Sequence, residues 1–167
     1  MFKNELTGTV PQEVGNLQSL NQLQLQFNNL TGPISASIGN LVNSTILALL
    51  ENNFYGSIPP TLGNLTKLTL LGVFSNMLSG YLPQDICTDG LLVNFTAHEN
   101  YFIGSIPKSF RNCSTLYSVR LDRNHLNYID LNYNNLSEVG AVPKSTKLEN
   151  LQQQNFRRNT FLAWGVT

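Results

Sequence analysis

Apolar and polar positions alternate along the chain in a pattern that returns every 24 residues. In the clearest copy, residues 68–83, the apolar residues Leu68, Leu71 and Val73 precede an asparagine, Asn76. The equivalent asparagines of the successive copies are Asn4, Asn28, Asn52, Asn76, Asn100 and Asn124. Two apolar residues separated by one outward position have the period of a β-strand, so each copy predicts one short strand.

The second half of each copy predicts where the chain turns. Four copies read L-x-G-x-[IVL]-P, with Phe replacing the leucine in two of them, as in Leu78-Gly80-Leu82-Pro83. Glycine permits a tight bend, and proline removes a backbone donor where no pairing is wanted. The motif asparagine can bond backbone groups that the turn leaves free, so stacked copies would form an asparagine ladder. A single copy cannot fold alone, and the copies must therefore stack into a solenoid.

These motifs resemble the plant extracellular leucine-rich repeat, over residues from Asn4 to about Leu136. The runs VFSNMLSGYLPQDIC, LVNFTAHENYFIGSIPKSFRNCSTLYSVRLDRNHL and YIDLNYNNL are similar to the last repeats of one subgroup of plant leucine-rich-repeat receptor-like kinases. The resemblance implies an α/β solenoid, a right-handed leucine-rich-repeat superhelix. Its concave side would carry a parallel sheet of short strands, and its convex side would be 3-10 or irregular.

The resemblance also implies a function. In that family the ectodomain senses peptides or partner receptors at the extracellular face of the plasma membrane, and a transmembrane helix and a cytoplasmic Ser/Thr kinase follow it. This chain contains no Gly-rich loop, no VAIK-like lysine and no HRD or DFG motif. We therefore expect a non-enzymatic ectodomain fragment that needs no cofactor and binds a peptide or protein ligand, including a co-receptor kinase.

The repeat changes register near its C-terminal end. After Asn124 the next motif asparagine is Asn134, ten residues on, which is too few for a full coil. The sequence therefore predicts a distorted or unstacked junction at 125–128. We expect a solenoid domain over residues 1–137, with about five 24-residue units and a truncated one, and a divergent, mostly disordered tail over 138–167.

Charge and composition narrow the classes of partner. The formal net charge is zero and 12% of the residues are charged, so no basic patch attracts nucleic acid or an acidic membrane. No apolar run reaches the roughly 18 residues that span a bilayer. No signal-peptide core follows Met1 either. A surface wetted by Asn, Ser and Thr nevertheless suits a secreted glycoprotein, and the two observations together favour a fragment.

Two kinds of covalent modification are predicted. The candidate glycosylation sites are the N-x-[ST] asparagines Asn29, Asn43, Asn64, Asn94, Asn112 and Asn135. Cys87 and Cys113 follow their motif asparagines by 11 and 13 residues, on the convex side of neighbouring coils. Coils about 4.8 Å apart place a disulfide within reach, and two buried free thiols are the alternative. The cysteines have no metal-ligand spacing.

His98 and Asp122 occupy the same outward column in adjacent copies, an arrangement that could suggest catalysis. The sequence around them contains no nucleophile elbow and no element placed to form an oxyanion hole. Pairing of side chains across neighbouring strands explains these two residues better, as it does Glu99 with Arg123. Arg120 and Asp130 share another such column.

Outward apolar residues predict a contact surface, because they have no core to fill. Such residues occur in the second and third copies, whereas the first copy has three glutamines at these positions. The predicted ligand-binding residues are Ile46, Leu50, Leu70, Phe74, His98, Arg120 and Asp122. Six strands about 4.8 Å apart would form a concave face about 29 Å long, enough for an extended peptide of roughly eight residues.

Two classes of function are therefore open. The chain could be a binding module from a cell-surface receptor ectodomain, recognising a peptide or a co-receptor on its concave face. It could instead be a truncated receptor-like remnant, without ligand or catalytic activity, whose outward apolar residues reflect drift. Retention of peptides by the secreted protein would distinguish the two.

Overall fold

Each 24-residue unit contributes one strand to a sheet that carries the L-x-L pattern. The computed structural model describes residues 4–88, 91–111 and 113–127. This sheet, sheet 1, consists of β2 (Gln22–Gln24), β4 (Ile46–Ala48), β6 (Leu70–Gly72), β8 (Asn94–Thr96) and β10 (Ser118–Arg120). All neighbours are parallel, and partners are 24 residues apart, as in Leu47 with Leu71. The expected parallel solenoid is thereby confirmed.

A second parallel sheet, which the sequence analysis did not predict, follows the motif asparagines. Sheet 2 consists of β1 (Thr7–Thr9), β3 (Asn29–Pro33), β5 (Asn53–Gly56), β7 (Met77–Tyr81), β9 (Tyr101–Gly104) and β11 (His125–Leu126). Its strands carry the L-x-G-x-[IVL]-P half of the repeat, which also alternates inward and outward residues. The glycine of this motif has φ between 77° and 87° in all five described copies, the left-handed region that favours glycine.

The core lies between the two sheets and the convex segments. The strand and turn positions of the repeat fill it, and Leu71, Val73, Leu78, Phe95 and Phe102 are fully buried. The second copy has Ser44 where other copies have leucine, and this residue is also buried. Its hydroxyl donates to the Leu20 carbonyl oxygen at 2.6 Å, which satisfies the buried polar group.

The motif asparagines form the predicted ladder. Asn76 Nδ2 donates to the carbonyl oxygens of Leu49 (3.1 Å), Val73 (3.0 Å) and Phe74 (3.2 Å), and Asn76 Oδ1 accepts from the Phe54 N–H (3.0 Å). Equivalent bonds are made by Asn52, Asn100 and Asn124. Each asparagine thus bonds its own turn and the preceding coil, which fixes the stacking distance.

The convex side changes partway along the solenoid. The 3-10 helices there are Gln12–Asn16, Ala36–Asn40, Pro60–Asn64 and Lys108–Arg111. The first three pack so closely that a Cβ on Gly39 would overlap the Thr61 carbonyl oxygen. The next coil has a turn at 84–88 instead of a helix, and a Cβ on Gly63 would meet only ordinary contacts with Asp85 at 3.7 Å.

A disulfide joins Cys87 and Cys113 at this change of packing, with a Cα–Cα distance of 5.8 Å. Cys87 lies in the turn that replaces a 3-10 helix, and both cysteines are buried. Two hydrogen bonds also join this turn to the following coil, from Lys108 N–H to Gln84 Oε1 and from Cys87 N–H to Ser109 Oγ. The covalent link therefore lies where helix stacking has ended.

The predicted junction lies partly within the described residues. His125 pairs with Ile103 and Leu126 with Gly104 in parallel register, and the Asn127 N–H donates to Gly104 O. Pairing with the preceding coil therefore continues through residue 127. The remainder of the junction, the domain boundary at 137/138 and the tail lie outside the described residues and stay predictions.

Candidate functional site

The outward side chains of sheet 1 form rows that run across the coils. We call the surface made by these rows, and by the segments just after the strands, the sheet-1 face. The first row is Gln22, Ile46, Leu70, Asn94 and Ser118, and the second is Gln24, Ala48, Gly72, Thr96 and Arg120. The third row, two residues further along each copy, is Gln26, Leu50, Phe74, His98 and Asp122. The face changes along the solenoid from amides through apolar groups to charges.

A fourth row, of which the sequence analysis identified only the pair Glu99 and Arg123, immediately precedes the motif asparagines. Its members are Phe27, Glu51, Ser75, Glu99 and Arg123. Each has φ between 50° and 58°, because the chain must turn here to direct the next asparagine inward. Each N–H in the first four members donates to the third-row carbonyl of the next coil, as Phe27 does to Leu50 at 3.1 Å. The sequence could have indicated this row, because its members are the residues directly before the motif asparagines of successive copies.

The apolar centre of the face is partly buried, which corrects one expectation. Ala48 and Leu50 are only 2% and 3% exposed, so the prediction that the outward apolar residues are accessible is wrong for these two. Gly72 explains the burial, because Leu50 Cδ2 occupies the space beside it and would lie 2.9 Å from a Cβ there. Ile46, Leu70 and Phe74 remain partly exposed.

His98 is also buried, at 6% exposure, and its ring stacks on Phe74 with centroids 4.3 Å apart. Burial is the main cause that lowers the pKa of His98 to about 4, and Arg120 lowers it further. Among the described residues its Nδ1 has no hydrogen-bond partner. His98 is therefore neutral near pH 7 and offers little surface to a ligand.

The charged end of the face is internally paired. Arg120 Nε donates to Asp122 Oδ1 at 2.9 Å within one strand segment, and Arg123 forms an ion pair with Glu99 across neighbouring coils. Asp122 thus bonds Arg120 and not His98, so no His–Asp hydrogen bond supports the catalytic arrangement considered from sequence. Asp130, the expected partner of Arg120, lies outside the described residues.

The pKa values of two carboxylates in the fourth row are shifted in opposite directions. A hydrogen bond from Ser75 Oγ to Glu99 Oε2, 2.5 Å long, is the main cause that lowers the pKa of Glu99, and Arg123 also lowers it. Burial and then the charge of Glu99 raise the pKa of Glu51. Glu51 makes no ion pair within the described part of the chain.

Sheet 2 presents a second surface with unusual exposure of apolar groups. Tyr55, Met77, Tyr81, Tyr101 and Ile103 are 42–68% exposed. Tyr101 also stacks on His125, with centroids 6.2 Å apart. None of these residues was a candidate from sequence, because the L-x-G-x-[IVL]-P segment was interpreted only as a turn.

The glycosylation candidates differ in accessibility. Asn29 and Asn64 are exposed, whereas Asn94 is partly buried in the first row of the sheet-1 face. The Asn43 side chain donates to Gln18 O (3.0 Å) and accepts from Lys67 Nζ (2.7 Å). Asn112 and Asn135 lie outside the described residues. All six remain predictions.

Two further features bear on the class of protein. In the described ranges, no helix is long and apolar enough to cross a membrane. Over the same residues, no cluster of three or more His, Cys, Asp or Glu side chains could hold a metal ion.

Comparison with known proteins gives the same repeat and fold. A family model described as leucine-rich repeat matches residues 19–41. No curated protein matches the chain significantly.

Among the similar solved structures, three each match 75% of this chain. A TDR receptor is 35% identical with a TM-score of 0.74, over 75% of this chain and 22% of that one. The Arabidopsis receptor kinase HAESA, in complex with the peptide hormone IDA and the co-receptor SERK1, is 34% identical with a TM-score of 0.73, over 75% and 21%. The ectodomain of the receptor kinase SOBIR1 from Arabidopsis thaliana is 30% identical with a TM-score of 0.70, over 75% and 68%.

The chain spans about a fifth of the TDR receptor and HAESA chains, and 68% of the SOBIR1 ectodomain. These similar chains are ectodomains of plant membrane receptors, and they carry the same repeat as the sequence and structure described above. The chain belongs to the leucine-rich-repeat family, in the group of plant receptor-kinase ectodomains.

Proposed function

We propose that this chain is a binding module that recognises an extended peptide, or a protein partner, on the sheet-1 face. One observation carries the proposal: Ile46, Leu70 and Phe74 remain partly exposed on this face, although the core is complete without them. Apolar and aromatic groups exposed together, with polar groups around them, are typical of interaction sites.

The arrangement around these three residues suits a peptide. The glutamines of the first coil lie on one side, where Gln24 Nε2 donates to Gln22 Oε1 at 2.7 Å. The Arg120–Asp122 pair lies on the other side. Amide and charged rims supply hydrogen bonds and orientation, whereas an apolar centre supplies affinity. His98 contributes by stacking on Phe74, and Leu50 by filling the space beside Gly72, and neither contacts the ligand directly.

The size of the face limits the ligand. Five described strands, at about 4.8 Å for each strand, extend over roughly 24 Å, which accommodates about seven residues of extended peptide. HAESA, one of the similar structures, is seen with both a peptide hormone and a co-receptor. By analogy, we propose a peptide as the ligand of this face at the cell surface, and a co-receptor kinase as the second class of partner.

The test is retention of a display library of octapeptides on the secreted chain, followed by affinity measurement for the enriched sequences. Phe74→Asp places a charge in the apolar centre and should weaken binding by about tenfold or more. Tyr55→Asp is the matched control, because it makes the same kind of change at an exposed aromatic residue of sheet 2. Folding of both variants is checked by circular dichroism.

Each result has a clear meaning. Loss of affinity in Phe74→Asp alone supports the sheet-1 face as the binding site. Equal losses in both variants, or no change in Phe74→Asp, would contradict this location. If the secreted, folded chain retains neither octapeptides nor a co-receptor ectodomain, the alternative of a remnant without ligand is favoured.

A further inference from the structure

The charges of the sheet-1 face balance except at one residue. Asp122 is paired with Arg120, and Glu99 with Arg123, but Glu51 has no cation in reach among the residues described here. The charge that raises the pKa of Glu51, after burial, is that of another carboxylate, Glu99, two coils away in the same row. The face therefore holds one exposed carboxylate whose surroundings disfavour its negative charge, and a cation would relieve this.

The groups beside Glu51 are those that bind cations. Phe27 precedes Glu51 in the fourth row by one coil, and the register is fixed by hydrogen bonds from Phe27 N–H to Leu50 O and from Asn28 N–H to Glu51 O. The Phe27 side chain is 39% exposed, and its backbone lies one coil, about 4.8 Å, from that of Glu51. An aromatic face and a carboxylate together attract an ammonium or guanidinium group.

A third group lies in the adjacent row. Gln26 Nε2 donates to Gln24 Oε1, while Gln26 Oε1 has no hydrogen-bond donor within the described structure. This buried oxygen belongs to the residue just before Phe27, and a donor on a bound cation would satisfy it. A guanidinium has five donors and could bond both this amide oxygen and the Glu51 carboxylate.

We propose that Phe27 and Glu51, with the Gln26 side-chain oxygen, form a subsite for a lysine or arginine side chain of the peptide that binds the sheet-1 face. The inference rests on the proposed function and adds the chemistry of one ligand residue. Ile46 and Leu70 lie three rows away, but the partly exposed Phe74 lies in the adjacent row on the next coil, where its carbonyl oxygen accepts from the Glu51 N–H at 2.9 Å. The recognised sequence therefore combines a basic residue with an apolar residue one or two positions away.

The experiment uses positional-scanning libraries of N-acetylated, C-amidated octapeptides, which lack terminal charges that could imitate a basic side chain. The secreted chain should select arginine or lysine one or two positions from leucine or phenylalanine. Glu51→Gln should weaken binding of a selected peptide by about fivefold, the size expected for an exposed ion pair with a cation–π contact. Replacement of the peptide's arginine by the isosteric, neutral citrulline should give the same loss, and should give no further loss in the Glu51→Gln protein.

Two controls separate this subsite from general electrostatics. Glu13→Gln removes an exposed carboxylate from the 3-10 helix Gln12–Asn16 and should leave affinity unchanged. Phe27→Leu keeps an apolar side chain but removes the aromatic face, and should weaken arginine peptides while leaving citrulline peptides unaffected. In addition, a bound arginine peptide should lower the pKa of Glu51, measured by NMR of the labelled carboxyl carbon.

The outcomes distinguish this inference from the proposed function. Octapeptides that are retained without preference for a basic residue would overturn the subsite and leave the proposed function standing. Equal losses in Glu13→Gln and Glu51→Gln would also overturn it, because the effect would then follow net charge. If no octapeptide is retained by the folded chain, the proposed function and the subsite fail together.

Discussion

The asparagine ladder and the sheet-1 face come from the same 24-residue repeat, but only the ladder is the same in every coil. Asn52, Asn76 and Asn100 each bond equivalent carbonyl groups of their own turn and the preceding coil. On the sheet-1 face, a single row contains an amide, two apolar residues, a histidine and a carboxylate. The ladder occupies positions that a stacked repeat needs in every coil, whereas the sheet-1 face occupies positions at which each coil can differ. Binding function belongs to these variable positions.

The largest expected effect tests the ladder itself. Asn76→Ala removes an amide that serves three carbonyl oxygens and the Phe54 N–H, and leaves buried backbone groups without partners. We expect the free energy of unfolding to fall by about 3–4 kcal/mol in chemical denaturation. Asn53→Ala, one residue from the neighbouring ladder position but exposed, should change it by less than about 0.5 kcal/mol. Similar costs for the two variants would show that the ladder does not stabilise the stack.

The second prediction concerns a variable position that is nevertheless buried. His98 has a pKa lowered to about 4, against 6.5 for an ordinary histidine, so protonation favours the unfolded chain. Stabilisation by neutral His98 is fully present above pH 6.5 and is lost as the pH falls from 6.5 towards 4. We expect the free energy of unfolding to decrease by up to about 3 kcal/mol across this window.

The control for this pH dependence is the chain's other histidine. His98→Gln should flatten the decrease between pH 6.5 and 4, whereas His125→Gln, at an exposed site stacked on Tyr101, should leave it intact. A decrease that persists in His98→Gln would assign it to carboxylates such as Glu99. The result decides whether His98 stabilises the fold, like the ladder asparagines, or lies at a position that each coil can vary.

The sequence predicted those features that every coil must share. The ladder and the L-x-L strands follow from spacing, because stacked copies leave few other ways to satisfy backbone groups, whereas the parallel sheet and the convex 3-10 segments were implied by the resemblance to plant leucine-rich repeats. Sheet 2 was missed, because its strands are interrupted by a glycine with positive φ and resemble turns. The accessibility of the face could not be predicted, because burial of Leu50 depends on Gly72 in the next coil, at a different repeat position.

Leu50 and Leu70 test whether the accessibility of an outward leucine depends on the neighbouring coil. Both are outward leucines of neighbouring coils, but Leu50 is 3% exposed and Leu70 is partly exposed. Leu50→Ala should lower the free energy of unfolding by about 2–3 kcal/mol, because it leaves a cavity over Gly72. Leu70→Ala should cost about 1 kcal/mol and act mainly on peptide binding. A smaller loss of stability in Leu50→Ala than in Leu70→Ala would show that Leu50 is accessible to a ligand.

The smallest effects compare two glycines at the same repeat position. A Cβ on Gly39 would overlap the backbone carbonyl of Thr61 in the next 3-10 helix, whereas a Cβ on Gly63 would lie 3.7 Å from Asp85, in ordinary contact. Gly39→Ala should therefore destabilise by about 1–3 kcal/mol through overpacking. Gly63→Ala, where the helix stack has ended, should be neutral or stabilise by up to about 1 kcal/mol, because it restricts the unfolded chain. Thermal unfolding of the two variants measures the difference, and equal shifts would mean that the convex packing does not change at residues 84–88. Unequal shifts would show that the effect of a substitution at a glycine repeated in several coils depends on the coil stacked on it, and not on the repeat position alone.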